Sequence, residues 1–77
     1  SGSITIVRYA TENKKLNFYD LSGLLWKDEL LDFASLNNIM EIKSRMTKNE
    51  IRDILSKQSN LTQLKPYVLQ KLKERKS

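Results

Sequence analysis

Positively charged side chains cluster around one predicted helix start in the second half of the chain. Residues 47–50 read Thr-Lys-Asn-Glu, a capping box. In this motif the threonine hydroxyl accepts a hydrogen bond from the third helical amide, and the glutamate carboxylate accepts one from the threonine amide. A helix N-terminus binds anions through free backbone N–H groups and a partial positive charge. Lys43, Arg45 and Lys48 add full charges at the same end, so these residues predict a phosphate-binding site.

A second interpretation of the same residues involves no ligand, because the capping box uses helix donors and the cations can simply be solvated. The distribution of charge favours the phosphate site. Residues 39–77 carry ten Lys or Arg against four Asp or Glu (10 − 4 = +6), whereas residues 1–38 carry four against five (4 − 5 = −1). All the excess positive charge lies in the second half, which indicates an anionic partner.

The residue types argue against catalysis. The chain has no Cys and no His, which excludes a disulfide scaffold and an ordinary zinc site and removes the commonest bases and nucleophiles. Asp28, Glu29 and Asp32 form an acidic cluster that is expected to be solvated. The only glycines are Gly2 and Gly23, so there is no glycine-rich phosphate loop. We expect a protein that is not an enzyme, with no cofactor, metal or small-molecule substrate.

The length of 77 residues predicts a single small domain with a modest core. Residues 1–3, Ser-Gly-Ser, resemble a tag remnant, so the domain is expected to span residues 4–77. No apolar run approaches the roughly 20 residues that a membrane span requires, and no membrane partner is expected. A nuclear or cytoplasmic location is the corresponding expectation, with the nucleus favoured for a eukaryotic protein.

The fold class expected from the sequence is mainly α, a small three-helix domain. The first helix is expected to begin after a cap at Asp20 or Ser22. It is expected to end at residues 37–38, since Asn tolerates the left-handed conformation that ends many helices. Residues 39–46 lack a helical stripe and predict an extended connector, which places Lys43 and Arg45 outward. Helical spacing in the first helix predicts core positions at Trp26, Leu30, Phe33 and Ala34. The connector is expected to add Ile39, Ile42 and Met46 to the core.

The second helix is expected to run from the Thr47 cap to residues 58–60. The third is expected from Leu61 or Pro66 to Lys76, with Pro66 in a first turn because it lacks an N–H group. Their predicted stripes comprise Ile51, Ile54, Leu55, Leu61, Leu64, Val68 and Leu72. Residues 4–9 are rich in β-branched and aromatic side chains and predict an extended arm, which could pair with residues 16–19 as a β-hairpin.

Residues 22–58 resemble the helix-extended-loop-helix pattern of SAP domains, the N-terminal helical domain of transcription terminator Rho, and LEM-type domains. Their second helix typically opens with a T-K-x-E-L sequence, which here is the stretch 47–51, Thr-Lys-Asn-Glu-Ile. The first helix resembles theirs through Leu30, Leu31, Ala34 and Leu36. SAP domains usually have glycine after the first helix and again before the lysine, where this chain has Asn38 and residues 45–46, Arg-Met.

This resemblance implies a nucleic-acid-binding module that tethers a larger protein. DNA is favoured over RNA as the ligand, with weak sequence selectivity. Carried over by position, the contacts would come from Lys43, Ser44, Arg45, Thr47, Lys48, Asn49 and Arg52. Because LEM-like relatives bind proteins on the same scaffold, a protein-interaction or homo-oligomerisation domain remains the alternative.

Overall fold

The computed structural model describes residues 17–76, which fold into four helices and no strand. These are α1 (Phe18–Ser22), α2 (Lys27–Leu36), α3 (Lys48–Gln58) and α4 (Leu61–Lys76). The mainly helical class is therefore confirmed, with one helix more than the three predicted. The predicted arm at residues 4–9 lies outside the described residues. Within residues 17–76, no helix combines the length and apolar character that crossing a bilayer requires.

The prediction was wrong about the segment before the first long helix. Phe18 and Tyr19 belong to α1 and not to a strand of a hairpin. Asn17 caps α1, because its Oδ1 accepts a hydrogen bond from the Asp20 amide at 2.9 Å. The first predicted helix is thus two helices, separated by a turn at residues 23–26, and neither Asp20 nor Ser22 is a cap.

The predicted end of α2 and the predicted start of α3, on either side of the connector, are both confirmed. α2 ends at Leu36, and Asn38 adopts φ 57°, the left-handed conformation that asparagine tolerates better than most residues. Thr47 then caps α3: its hydroxyl accepts from the Glu50 amide at 3.1 Å, and Glu50 accepts from the Thr47 amide at 2.9 Å. Between them, Lys43 and Arg45 are exposed, as the connector pattern predicted.

One core unites the four helices. α1 packs on α4 and α3, and α2 packs on α3. Ile42, Met46 and Ile54 pack at the edge of this core, and the buried apolar side chains are Phe18, Leu21, Leu25, Leu30, Phe33, Ala34, Ile39, Ile51, Leu55, Leu64, Val68 and Leu72. The predicted stripes supply most of it. Trp26 is the clearest exception, because 61% of this residue is exposed and it is not part of the buried core.

The last helix begins at the earlier of its two predicted starts, so its proline does not lie in the first turn. Asn60 caps it by accepting a hydrogen bond from the Gln63 amide at 3.1 Å, and the helix starts at Leu61. Pro66 therefore lies in the second turn and not the first. Its missing N–H leaves the Thr62 carbonyl without its usual helical donor. Both residues are exposed, so water can hydrogen-bond that carbonyl.

Candidate nucleic-acid interface

The capped start of α3 keeps two helix donors available. The capping box engages the Glu50 amide, but the backbone N–H groups of Lys48 and Asn49 have no acceptor among the described residues. They add to the partial positive charge of the helix end. The alternative interpretation, in which the capping box uses the helix donors, therefore applies to only one of the first three helical amides.

Two predicted contact residues turn towards the end of α1 and not towards solvent. The Lys48 ammonium donates to the Gly23 carbonyl at 3.0 Å. The Arg52 guanidinium donates to the Tyr19 carbonyl from Nη2 at 2.7 Å and from Nε at 3.2 Å. It also lies 3.8 Å from the centre of the Tyr19 ring. Arg52 thus joins α3 to α1 and has little freedom to reach a base edge.

Gly23 provides the space for this clamp. A Cβ atom at position 23 would lie 2.8 Å from the Nη2 atom of Arg52 and 3.0 Å from its Cζ atom. The guanidinium could move only by loosening its bonds to Tyr19 and Ser22, the latter at 3.2 Å to the hydroxyl. A side chain at position 23 and the present position of Arg52 are therefore incompatible.

A third cation, which was not among the predicted contact residues, reaches the same turn from the far end of the chain. Arg75 on α4 donates to the Leu24 carbonyl at 3.0 Å and pairs with the Glu29 carboxylate. Its guanidinium carbon lies 4.1 Å from the centre of the Trp26 ring. The helical spacing of Leu64, Val68 and Leu72 continues to position 75, and this spacing was the signal that Arg75 faces inward.

The α1–α2 turn therefore concentrates positive charge. We name Lys48, Arg52 and Arg75 the turn cluster. Burial is the largest cause that lowers the pKa of Lys48, and the charges of Arg52 and Arg75 lower it further, against a smaller opposite effect of Glu29. Three cations held beside a single carboxylate repel one another, so an added anion would be stabilised there.

The remaining predicted residues lie on the exposed side of the same helix start. Lys43, Ser44, Arg45, Thr47 and Asn49 are all exposed. The Lys43 ammonium donates to the Met40 carbonyl at 3.2 Å, and Asn49 accepts from Arg52 at 3.0 Å. The seven predicted residues are thus adjacent, but they form two groups: five at the exposed tip and two directed towards the turn.

Charges from the exposed tip and from the start of α2 act on Glu50. The hydrogen bond from the Thr47 amide is the main cause that lowers the pKa of Glu50, and Arg45 and Lys27 lower it further. Lys27 begins α2 and was not among the predicted contacts. Its effect on Glu50 indicates that the start of α2 lies near the tip of α3.

We expect the stability of the domain to fall in acid, partly through Glu50. A carboxylate whose folded pKa lies below its unfolded value stabilises the fold above that unfolded value, about 4.3 for Glu, and loses this effect as the pH falls through the folded pKa. Thermal unfolding at about pH 6 and about pH 3 should show a smaller loss for Glu50→Gln than for the wild type. An equal loss of stability in the wild type and in Glu50→Gln would contradict this role. The variant Glu74→Gln provides a comparison with a second carboxylate whose pKa is lowered in the folded protein.

The acidic cluster predicted to be solvated has internal partners instead. Glu29 pairs with Arg75, and Asp32 accepts a hydrogen bond from the Tyr67 hydroxyl at 2.7 Å. Burial, followed by the bond to Asp32, raises the pKa of Tyr67. Only Asp28 is exposed without such a contact among the described residues. No group of three or more potential metal ligands occurs within residues 17–76.

Comparisons of the chain with models of known protein families, with curated proteins and with solved structures find no match.

Proposed function

We propose that this domain binds the sugar-phosphate backbone of a nucleic acid through the surface around the α3 N-terminus, and that it tethers a larger protein in this way. The observation that carries the proposal is the convergence of Lys48, Arg52 and Arg75 on one turn. Lys27 and Arg45 lie close enough to lower the pKa of the intervening Glu50. These five cations outnumber the carboxylates of Glu29 and Glu50 that act on them or lie between them, and such an excess of positive charge attracts a polyanion.

The likeness to SAP-type domains supports this proposal. Asn38 stands where SAP domains usually have glycine, and it adopts φ 57°, the conformation that glycine favours. A helix, a connector without regular structure at residues 37–47 and a second capped helix follow one another in the expected order. We therefore propose the helix-extended-loop-helix motif for residues 22–58, with DNA as the favoured ligand.

The proposal predicts binding that depends steeply on salt and weakly on sequence. Contacts to four to six phosphates correspond to a log–log slope of binding constant against salt of about −4 to −5. Replacing Arg45 and Lys48 together by alanine should weaken binding by about tenfold or more and make the slope shallower by about 2. Fluorescence anisotropy with a labelled oligonucleotide at several salt concentrations measures both quantities.

The matched control removes two cations from the other end of the domain. Lys57 and Lys65 lie at the C-terminal end of α3 and in the first half of α4, away from the Thr47 tip. The double variant Lys57→Ala, Lys65→Ala has the same net charge as the Arg45, Lys48 variant. If the two double variants lose affinity equally, general charge and not this surface binds the nucleic acid, and the proposal fails.

A second candidate function, docking of a protein partner, is supported by a groove of about 260 Å³ between α2 and the connector, whose lining includes Ser35 and Lys43 beside apolar residues. Leu31, Ala34, Ile39 and Ile42 line it, and Met40, at 78% exposed, stands at its edge. Such a groove suits an apolar side chain of another protein. Met40→Ser would remove this contact without changing the charge of the nucleic-acid surface, so a partner captured by the wild type and lost by this variant would support protein docking.

A further inference from the structure

Trp26 is an exposed aromatic residue in a position that its own helix does not favour. It is the N-cap of α2, where Ser, Thr, Asp or Asn would accept a hydrogen bond from a helix amide. The indole N–H can only donate, so the ring gives the helix no cap. The ring also adds little to the core, because 61% of the residue is exposed. A residue that satisfies neither local nor packing preferences marks a candidate functional position.

The ring is nevertheless held in a defined position. The Trp26 amide donates to the Glu29 carboxylate at 2.7 Å. Arg75, whose guanidinium carbon lies 4.1 Å from the ring centre, covers one face, and Arg75 is itself fixed by Leu24 and Glu29. The exposed area of the residue therefore lies on the opposite face and the ring edges. A flat aromatic surface, supported from behind by a cation, faces solvent.

Anionic groups bound beside this ring would meet positive charge. Lys27 follows Trp26 in the chain, and Lys48 donates to the carbonyl of Gly23, three residues before it. Every nucleobase has a π-face that stacks on an aromatic side chain irrespective of sequence. The interior bases of an intact duplex already stack on each other, so a base that stacks on Trp26 is supplied most readily by an unpaired strand.

We propose that the outer face of Trp26 stacks an unpaired base while neighbouring cations bind the flanking phosphates, so that the ligand of this domain is single-stranded nucleic acid. This inference rests on the proposed function and names the ligand class of the same surface. It makes Trp26 a binding residue, although its spacing in the sequence predicts a place in the core.

The single tryptophan of the chain makes the test direct, since any tryptophan fluorescence comes from position 26. An oligothymidylate of about twelve nucleotides, within the usual site sizes, should quench this fluorescence as it binds. A duplex of equal length and inorganic polyphosphate should not quench it. Trp26→Ala should weaken oligothymidylate binding by about 5- to 150-fold and alter polyphosphate binding by less than about twofold.

Trp26→Phe is the matched variant, because it keeps a smaller ring and should lose less affinity than Trp26→Ala; circular dichroism checks that both fold. If the wild type binds oligothymidylate without quenching and Trp26→Ala binds it equally well, bases do not stack here. The inference is then overturned, and backbone binding stands. Quenching by the duplex equal to that by the single strand also overturns the inference. If the wild type binds none of the three probes, the proposed function itself fails, and this inference fails with it.

Discussion

Replacing Arg52 by alanine will lower the free energy of unfolding by about 2–3 kcal/mol. The guanidinium donates two hydrogen bonds to the Tyr19 carbonyl and one to the Ser22 hydroxyl, and Ser22 is fully buried. Hydrogen bonds from charged donors each contribute about 1.5–3 kcal/mol, and several that share one side chain contribute less than their sum. Without Arg52, the end of α1 loses these three hydrogen bonds to α3.

Thermal unfolding followed by circular dichroism measures this effect. For a domain of this size, a loss of about 2–3 kcal/mol corresponds to a fall in Tm of about 10–20 °C. Lys57→Ala is the matched control, since it removes a cation from the same helix. Its pair with Asp53 is exposed, and its cost should stay below about 0.5 kcal/mol. If Arg52→Ala is as stable as this control, the clamp does not stabilise the fold.

Two further variants separate the contributions of geometry and charge. Arg52→Lys keeps the charge, but an ammonium cannot donate two parallel bonds to one carbonyl and stack on the Tyr19 ring as a planar guanidinium does. We expect it to recover less than half of the lost stability. Gly23→Ala keeps the arginine at position 52, but the added methyl group forces its guanidinium away from the Tyr19 carbonyl. It should therefore destabilise the domain in the same direction, though by less than Arg52→Ala.

Local signals explain the parts of the fold that the sequence predicted. The capping box at Thr47 is a short-range pattern in which each side chain satisfies an amide three residues away, and it forms as expected. Asn38 stops α2 because its own backbone preference permits a left-handed conformation. The apolar positions of α3 and α4 follow from helical periodicity alone. None of these features depends on which other part of the chain lies nearby.

The features that were missed depend on tertiary contacts or on very short elements. α1 has only five residues, too few for a periodic pattern and too few to be stable without packing. Trp26 fits the apolar rhythm of α2, but the turn before that helix directs it outward, beside an arginine 49 positions later in the chain. Only the part of the candidate site that depends on neighbouring residues in the chain, the capped tip of α3, was predicted. The contacts of Lys48, Arg52 and Arg75 with the α1–α2 turn require the fold.

Replacing Arg75 by alanine is the second change with a large expected effect, about 2–4 kcal/mol of unfolding free energy. Arg75 and Glu29 are a partly buried pair, with 23% and 13% of their side chains exposed. Removing one partner leaves the other charge poorly solvated, and breaking a fully buried pair costs about 3–5 kcal/mol. The expected loss of unfolding free energy is smaller here because both side chains retain some exposure. The Nε atom of Arg75 is also buried without an acceptor among the described residues, so the wild type already carries one unsatisfied donor.

A double-mutant cycle with Glu29→Gln tests whether the cost comes from this pair. Glutamine can still accept the hydrogen bond from the Trp26 amide, but it carries no charge that needs Arg75. The double variant should therefore be more stable than the sum of the two single losses predicts, by about 1–2 kcal/mol. Losses that add to within about 0.5 kcal/mol would show that the two residues act independently.

The same variant links stability to the charge of the proposed binding surface. Arg75 lowers the pKa of Lys48, so Arg75→Ala should move that pKa back towards its ordinary value, which NMR titration of the Lys48 side chain can follow. A bound phosphate would also raise the pKa of Lys48, because an anion stabilises the ammonium. If the pKa of Lys48 in the wild type rises on addition of oligothymidylate, and the pKa of Lys57 does not, the nucleic acid occupies the turn cluster. An unchanged pKa for Lys48 in the bound protein would place the phosphates elsewhere.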